Sequence, residues 1–357
     1  MKLAELLKVR TVNYSRFSIV RLNNELFPVS EFEQAAYDQF GMKPFFVEAS
    51  GADITRNADD CDALLVVSES LPSEVIDSLK KCRVISRLGA GTDKIDRESA
   101  TRNGIVLTNI PDFCYEEQAD HAMALLLALV RKLPQMHQSM LAGKWDSGRG
   151  QCRAIHRFED RVLGLLGFGG SAKALARRAK GFGLRILANR RRMDLRDLEA
   201  DALGVTMADR DTVVRESDYL SLHLPLNEET WHLLNLKQLR SMKRGAYLIN
   251  TARGAIVDET ALAKVLASGH LGGAGLDTFH EISVHGNDSE PPVHPLVHLD
   301  NVILTPHTAA FSRESARDVG TGGVENIASI LSGRWPRADR VVNTEVVPRQ
   351  ELLRPED

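Results

Sequence analysis

The chain has 357 residues, enough for two domains with separate cores. Its 43% hydrophobic and 26% charged residues, with a formal net charge of −3, are those of an ordinary globular protein. That balance gives no electrostatic reason to expect nucleic acid or an anionic membrane as partner. No apolar signal segment is read at the start, and the longest apolar stretch, Ala122 to Val130, is too short to span a bilayer. Cys61, Cys82, Cys114 and Cys152 are scattered with no C-x-x-C pair, which points to reduced thiols and a cytoplasmic location. The histidines show no metal-ligand spacing. His280, His285, His294 and His298 gather in a Pro/Gly/Ser-rich stretch, and no metal site is expected there.

Short apolar runs alternate with helical patterns along the chain, which predicts parallel sheets built of βαβ units and an α/β fold. The segment up to Leu26 fits a first strand poorly. Ala63 to Val67 and Arg83 to Ser86 read as strands, with a helix over Pro72 to Lys80 between them, and Gly104 to Thr108 as another strand. A long helix, apolar on most faces, is predicted over Glu117 to Leu133 and stops near Pro134. A second series starts at Arg161, with strands at Leu184 to Ala188, Tyr219 to Leu222, Ala246 to Asn250, Gly273 to Leu276 and Val302 to Leu304. The last helix runs from about Ser312 to Leu331. The longest irregular stretch, Glu281 to His294, has the length of a functional loop.

Within the second series, the apolar run Val162 to Leu166 leads into Gly167-Phe168-Gly169-Gly170-Ser171-Ala172 and then a helical pattern, Lys173 to Phe182. Strand, glycine turn and helix in that order are the context of a dinucleotide fingerprint. Gly167 permits the tight turn, Gly169 lets N–H groups approach a pyrophosphate, and Ala172 is small enough for helix and strand to pack. Gly170 and Ser171 open the helix, whose free N–H groups and dipole favour an anion. The fingerprint lies mid-chain, after a first α/β block. The predicted architecture is therefore two doubly wound parallel-sheet domains. A Rossmann cofactor domain, residues 116–312, is inserted into a flavodoxin-like substrate domain made of residues 1–115 and 313–357, with the site expected in the cleft between them.

An NAD site normally places an Asp or Glu at the end of the next strand, on the ribose 2′-OH. Here that strand ends in Asn189-Arg190-Arg191-Arg192, and Asp194 follows only after the arginines. Guanidinium forks match a phosphate. The expectation is NADP(H), with Arg190 and Arg191 beside Asn189 on the 2′-phosphate; NAD(H) stays open.

Other segments extend the pattern: Gly89-Ala90-Gly91-Thr92-Asp93-Lys94-Ile95-Asp96, Leu222-His223-Leu224-Pro225-Leu226, Asn250-Thr251-Ala252-Arg253-Gly254-Ala255-Ile256-Val257-Asp258, Gly275-Leu276-Asp277-Thr278-Phe279 and Thr305-Pro306-His307-Thr308-Ala309-Ala310. With the glycine turn, and in this order, the chain resembles the D-isomer-specific 2-hydroxyacid dehydrogenases. Pro111 to His121 further resembles the branch that includes the C-terminal-binding-protein corepressors.

The resemblance implies hydride transfer between a nicotinamide cofactor and a small 2-keto or D-2-hydroxy acid, glyoxylate or hydroxypyruvate first. Such a reduction needs a cation on the substrate carboxylate and ketone, and a proton donor at the developing alkoxide. Arg253, on a turn directly after a strand, is the implied substrate clamp, and His307, after the last sheet strand, the implied general acid/base. A carboxylate should orient His307. The family pattern has Glu-Pro at a place occupied here by Ile282. An insertion from Ile282 to Ser289 would move the pattern to Glu290-Pro291-Pro292; alternatively Glu281 serves after a one-residue slip. Glu290 agrees better with His294-Pro295-Leu296, which follows in family order.

By the same resemblance Ala90 and Gly91 offer N–H groups to the substrate carboxylate. Thr251 and Ala252 line the nicotinamide ribose side, and Pro225, next to His223, the adenosine side. Asp277 holds the carboxamide, and Arg253, His307 and Ala310 complete the cofactor contacts. A homodimer is expected through Asp120 to Trp145. A different class of function stays open: a corepressor-like protein that senses the dinucleotide and binds peptide partners, with weak turnover. Arg253 and His307 do not separate the two; the displaced glutamate and the arginine cluster favour the enzyme.

Overall fold

Segments such as Ala63-Leu64-Leu65-Val66 and Val162-Leu163-Gly164-Leu165-Leu166 are apolar without alternation, the pattern of strands buried on both faces of a parallel sheet. The computed structural model, which describes residues 12–25, 27–282 and 292–353, folds them in that way. The chain forms two units, one from Met1–Phe113 with Ser312–Asp357 and one from Cys114–Phe311.

The first unit holds β1 (Ile19–Leu22), β2 (Phe45–Val47), β3 (Ala63–Val66), β4 (Val84–Arg87) and β5 (Val106–Thr108). They pair in the order β2-β1-β3-β4-β5, all parallel. The poor fit of the N-terminal segment to a strand is corrected here: β1 is an interior strand with all of its residues buried. Arg21 disguises it by breaking the apolar run. Its Nε donates to Glu33 Oε1 at 3.1 Å, its Nη2 donates to the Phe27 carbonyl at 2.9 Å, and Tyr37 donates to the same Glu33 oxygen at 2.7 Å. Removing Glu33 alone would strand a buried guanidinium, at a cost of about 3–5 kcal/mol. Glu33 lies on the helix Glu31–Phe40, which packs against the last helix, Arg313–Leu331. Ser312 and Ser315 close a capping box at the start of that last helix.

The second unit holds β6 (Val162–Leu166), β7 (Arg185–Asn189), β8 (Thr206–Met207), β9 (Tyr219–Leu222), β10 (Tyr247–Asn250), β11 (Gly273–Leu276) and β12 (Val302–Leu304). Their order is β12-β11-β10-β9-β6-β7-β8, again parallel throughout. The order reverses at β6: the chain runs one way to β7 and β8, then returns to place β9 on the other side. Such a switch point is where ligands bind in open parallel sheets, outside the carboxyl ends of the strands.

The helix Tyr115–Val130 lies on this sheet, and it can do so because β11 carries Gly275: a Cβ there would come within 2.9 Å of Leu125 and 3.1 Å of Ile249. Arg178, on the helix Gly170–Gly181, fastens it further through Asp120 at 2.6 Å and Glu116 at 2.7 Å. The helix ends at Val130, earlier than expected. Lys132 takes a left-handed conformation (φ +55°), and Pro134 sits in the first turn of a new helix, Leu133–Leu141, where its missing N–H is no loss. Among the described residues no helix is long and apolar enough to cross a membrane. Cys61, Cys82 and Cys114 are buried, Cys152 is exposed, and none is in a disulfide.

Candidate active site

Because every strand of the larger sheet is parallel, its carboxyl ends share one edge. Read along the sheet, that edge carries His307 after β12, Asp277 after β11, Thr251 to Arg253 after β10, His223 and Pro225 after β9, the glycine turn after β6, and Asn189 to Arg191 at the end of β7. At about 4.8 Å between neighbouring strands, these six ends cover roughly 24 Å.

Gly167 has φ +89°, and a Cβ there would lie 2.2 Å from the His223 carbonyl oxygen. Only glycine allows β6 to turn beside the end of β9. Gly169 caps the helix Gly170–Gly181 without any side-chain hydrogen bond, so the first N–H groups of the helix have no internal acceptor. Ala172 is fully buried, as its packing role requires. His223 bridges two hydroxyls beneath the turn, Ser171 Oγ at 3.1 Å from Nδ1 and Ser221 Oγ at 3.0 Å from Nε2. Burial pushes its imidazole down to about 4, so the ring is neutral at pH 7.

At the end of β7, Asn189 Nδ2 donates to the Ala208 carbonyl at 3.0 Å. Arg190 is not an open clamp: Nη1 meets Asp197 Oδ2 at 3.0 Å and Nη2 donates to the Leu195 carbonyl. Its Nε is buried with no partner among the described residues. Burial works to raise the Asp197 carboxyl, but Lys173, the Ala200 N–H and Arg190 outweigh it and hold it below its ordinary value. Arg191 is exposed, with Glu229 at 3.8 Å.

At β10, Asn250 staples the turn that presents Arg253. Its Nδ2 donates to the Arg253 carbonyl at 2.9 Å and its Oδ1 accepts from the Ala252 N–H at 3.0 Å. Arg253 Nη1 donates to the Ala252 carbonyl at 2.8 Å. Thr251 Oγ1 is buried without a partner among the described residues. Two of the residues expected to touch a cofactor, Arg190 and Thr251, thus carry an orphaned buried polar atom, and the glycine turn leaves helix N–H groups open. The residues present fit a dinucleotide.

At β11 and β12 one carboxylate organises the turn that carries His307. Asp277 is fully buried, and its carboxylate accepts from Thr305 Oγ1 at 2.6 Å, from the Thr308 N–H at 2.9 Å and from the Ala309 N–H at 2.9 Å. With these donors in place, it braces the turn around His307. His307 itself has φ +56°, a left-handed conformation uncommon for a residue with a Cβ. Ala310, two residues past the braced Thr308, is half-buried.

Glu290 lies outside the described residues, as does His285. Glu281 is described: its Oε2 is 3.0 Å from His294 Nε2. Glu259 joins them, accepting from the His280 and Glu281 N–H groups at 2.7 and 3.1 Å. Glu259, Glu281 and His294 have the spacing of metal ligands. However, His294 Nδ1 accepts the Leu296 N–H at 3.2 Å, so a neutral ring carries its proton on Nε2, toward Glu281. A metal on Nε2 would need an anionic imidazole, and the group is better described as a clip closing the base of the 281–294 segment. His280 instead packs edge-on against Trp231, ring centroids 4.8 Å apart.

In the first unit, Ala90 and Gly91 follow β4. Asn109 Nδ2 donates to the Ala90 carbonyl at 2.6 Å, and neither Ala90 nor Gly91 N–H has an acceptor among the described residues.

A parallel sheet with a glycine turn at its switch point and a cation and histidine on the same edge defines a dinucleotide-dependent oxidoreductase. Residues 123–309 match the family described as D-isomer specific 2-hydroxyacid dehydrogenase, NAD binding domain. A glyoxylate reductase of Korarchaeum cryptofilum is 39% identical over 299 residues, covering 82% of this chain and 86% of that protein. Among solved structures, a glyoxylate reductase from Paecilomyes thermophila aligns with a TM-score of 0.77 at 26% identity, covering 92% of this chain and 98% of the other. A D-lactate dehydrogenase with NAD+ from Lactobacillus jensenii aligns with a TM-score of 0.71 at 28% identity, covering 91% and 99%. The chain belongs to the D-isomer specific 2-hydroxyacid dehydrogenases, enzymes of nicotinamide-dependent 2-hydroxyacid chemistry.

Proposed function

We propose that the protein reduces a small 2-keto acid of the glyoxylate or hydroxypyruvate type to the D-2-hydroxy acid, with NADP(H) as the favoured cofactor. The observation that carries this reading is the shared carboxyl edge, with the His307 turn, Arg253 and the glycine turn at the ends of β12, β10 and β6, every second strand of the sheet. Arg253 holds the substrate carboxylate and polarises the ketone. His307 delivers a proton to the oxygen as negative charge develops there. When bound, the nicotinamide cofactor supplies the hydride. Glu290 orients His307; engagement of Glu281 by His294 supports this choice between the two glutamates. The N–H groups of Ala90 and Gly91, which have no acceptor among the described residues, bind the substrate carboxylate.

The cofactor pyrophosphate is read on the N–H groups of Gly169, Gly170 and Ser171, beyond Gly167. Thr251 and Ala252 meet the nicotinamide ribose, and Pro225, with His223 beneath it, the adenosine side. The preference for NADP(H) rests on the missing acid after β7 and on Arg191, with Arg190 Nε, which has no partner among the described residues, as a further donor. Comparing kcat/KM for NADPH and NADH tests it, and a clear NADH preference overturns it. Substrate class is tested by following NAD(P)H oxidation against glyoxylate, hydroxypyruvate, pyruvate and phenylpyruvate.

The working form is a homodimer without nucleic acid or membrane partners, in the cytoplasm. Leu133, Met140, Leu141 and Trp145 support the dimer: all are exposed apolar residues on consecutive short helices, 54–70% accessible in the single chain. Trp145→Asp should shift sedimentation toward monomer; an unchanged dimer would move the interface elsewhere.

A further inference from the structure

Holding a residue with a Cβ in the left-handed region costs about 1–2 kcal/mol, and His307 is held there. Its own N–H donates to the Thr305 carbonyl at 3.0 Å, closing a tight loop over Pro306. The bonds on either side come from one carboxylate. Asp277 takes the Thr305 hydroxyl before the histidine and the Thr308 and Ala309 N–H groups after it. A buried carboxylate is acceptor-only, so the Thr305 hydrogen points to Asp277 and the hydroxyl oxygen is left to accept. The group that donates to it is His121 Nε2, 2.9 Å away and also 3.5 Å from Asp277 Oδ1. His121 comes from the helix Tyr115–Val130, which Gly275 lets settle directly on β11 beneath Asp277.

We propose that His121 is a positioning residue for the reaction. Through the Thr305 hydroxyl and the Asp277 carboxylate it fixes the turn that aims His307 at the substrate. The inference rests on the reading of His307 as the proton donor. The relay His121 Nε2–H to Thr305 O–H to Asp277 ties a helix of the sheet's face to the turn on its edge. No bond is made or broken along it. Its effect is geometric: a displacement of about 1 Å in a reacting group can cost on the order of a hundredfold in rate.

The test compares Thr305→Val with Thr305→Ser, and His121→Ala with His121→Gln. Valine keeps the shape of threonine without the hydroxyl; glutamine keeps an N–H donor near the place of Nε2. Glyoxylate and hydroxypyruvate are the substrates, NADPH and NADH the cofactors, and His307→Ala the reference. Thr305→Val should lower kcat by about a hundredfold with cofactor affinity unchanged. His121→Ala should lower kcat by less, and Thr305→Ser and His121→Gln should recover most of the loss. Amide exchange at Thr308 and Ala309 should quicken in Thr305→Val. If Thr305→Val does not fold, the His121 pair decides. The inference is overturned if His307→Ala is inactive while Thr305→Val and His121→Ala keep wild-type kcat. It is also overturned if the serine and glutamine variants recover nothing, or if cofactor affinity falls in step with kcat. An active His307→Ala instead overturns the reading of His307 itself.

Discussion

At the β12 end of the seven-stranded sheet, the His307 turn is pinned by a carboxylate with no exposed surface, which accepts three hydrogen bonds at 2.6 to 2.9 Å. At the β7 end, Arg190 is fixed by Asp197, but the next arginine is held only at the protein surface: Arg191 is 85% and its partner Glu229 72% exposed. Buried, fully partnered bonds fix geometry, while exposed pairs between long side chains contribute about 0–1 kcal/mol and give way readily. The end expected to do proton chemistry is therefore preorganised, and the end expected to read the cofactor is adaptable. Substitutions at the first should act on rate, those at the second on which cofactor is used.

The largest expected effect is at the rigid end. His307→Gln should lower kcat by about 10²–10⁴-fold with little change in cofactor affinity, measured by steady-state kinetics and cofactor fluorescence titration. Next is the adaptable end. Arg191→Ala combined with Arg192→Ala should lower kcat/KM for NADPH by about 10–100-fold, the range of one charged hydrogen bond, and leave NADH turnover unchanged. An equal loss with both cofactors would remove the distinction between the two ends. Asp197→Ala should cost about 1 kcal/mol of stability, because Asp197 caps the helix Leu198–Leu203 with the Glu199 and Ala200 N–H groups. It should leave kcat with NADH intact; thermal unfolding and kinetics together check this.

The last effect, seen only at acid pH, concerns His223, between the two ends. The unfolded chain takes up a proton there near pH 6.5, whereas burial delays uptake in the native state to about 4. The unfolded state binds more protons in that window, so the contribution to stability is lost as pH falls from about 6.5 toward 4. His223→Asn should flatten that part of the stability profile in denaturant titrations.

Much of the candidate edge was legible because a parallel sheet presents whatever follows each strand. Arg253 and His307 come directly after apolar runs, and Gly167 opens a turn between a strand and a helix. What stayed hidden depends on partners distant in sequence. Arg21 made β1 look unlike a strand until Glu33 and Tyr37 supplied its buried bonds. The fixed state of Arg190 was invisible because Asp197 reaches back to it from a helix cap. That Asp277 also braces the turn was not legible, because Thr305, Thr308 and Ala309 meet it only in the fold. His121 and Thr305 are 184 residues apart, and no local pattern joins them.

The measurement that tests the account most directly is reduction of glyoxylate and hydroxypyruvate by the wild-type and His307→Gln proteins, with NADPH and with NADH, alongside cofactor binding. The account predicts turnover by the wild type and a collapse of kcat in the variant while it still binds the cofactor. Undiminished turnover in the variant, or tight cofactor binding by the wild type with no turnover of either acid, would contradict it.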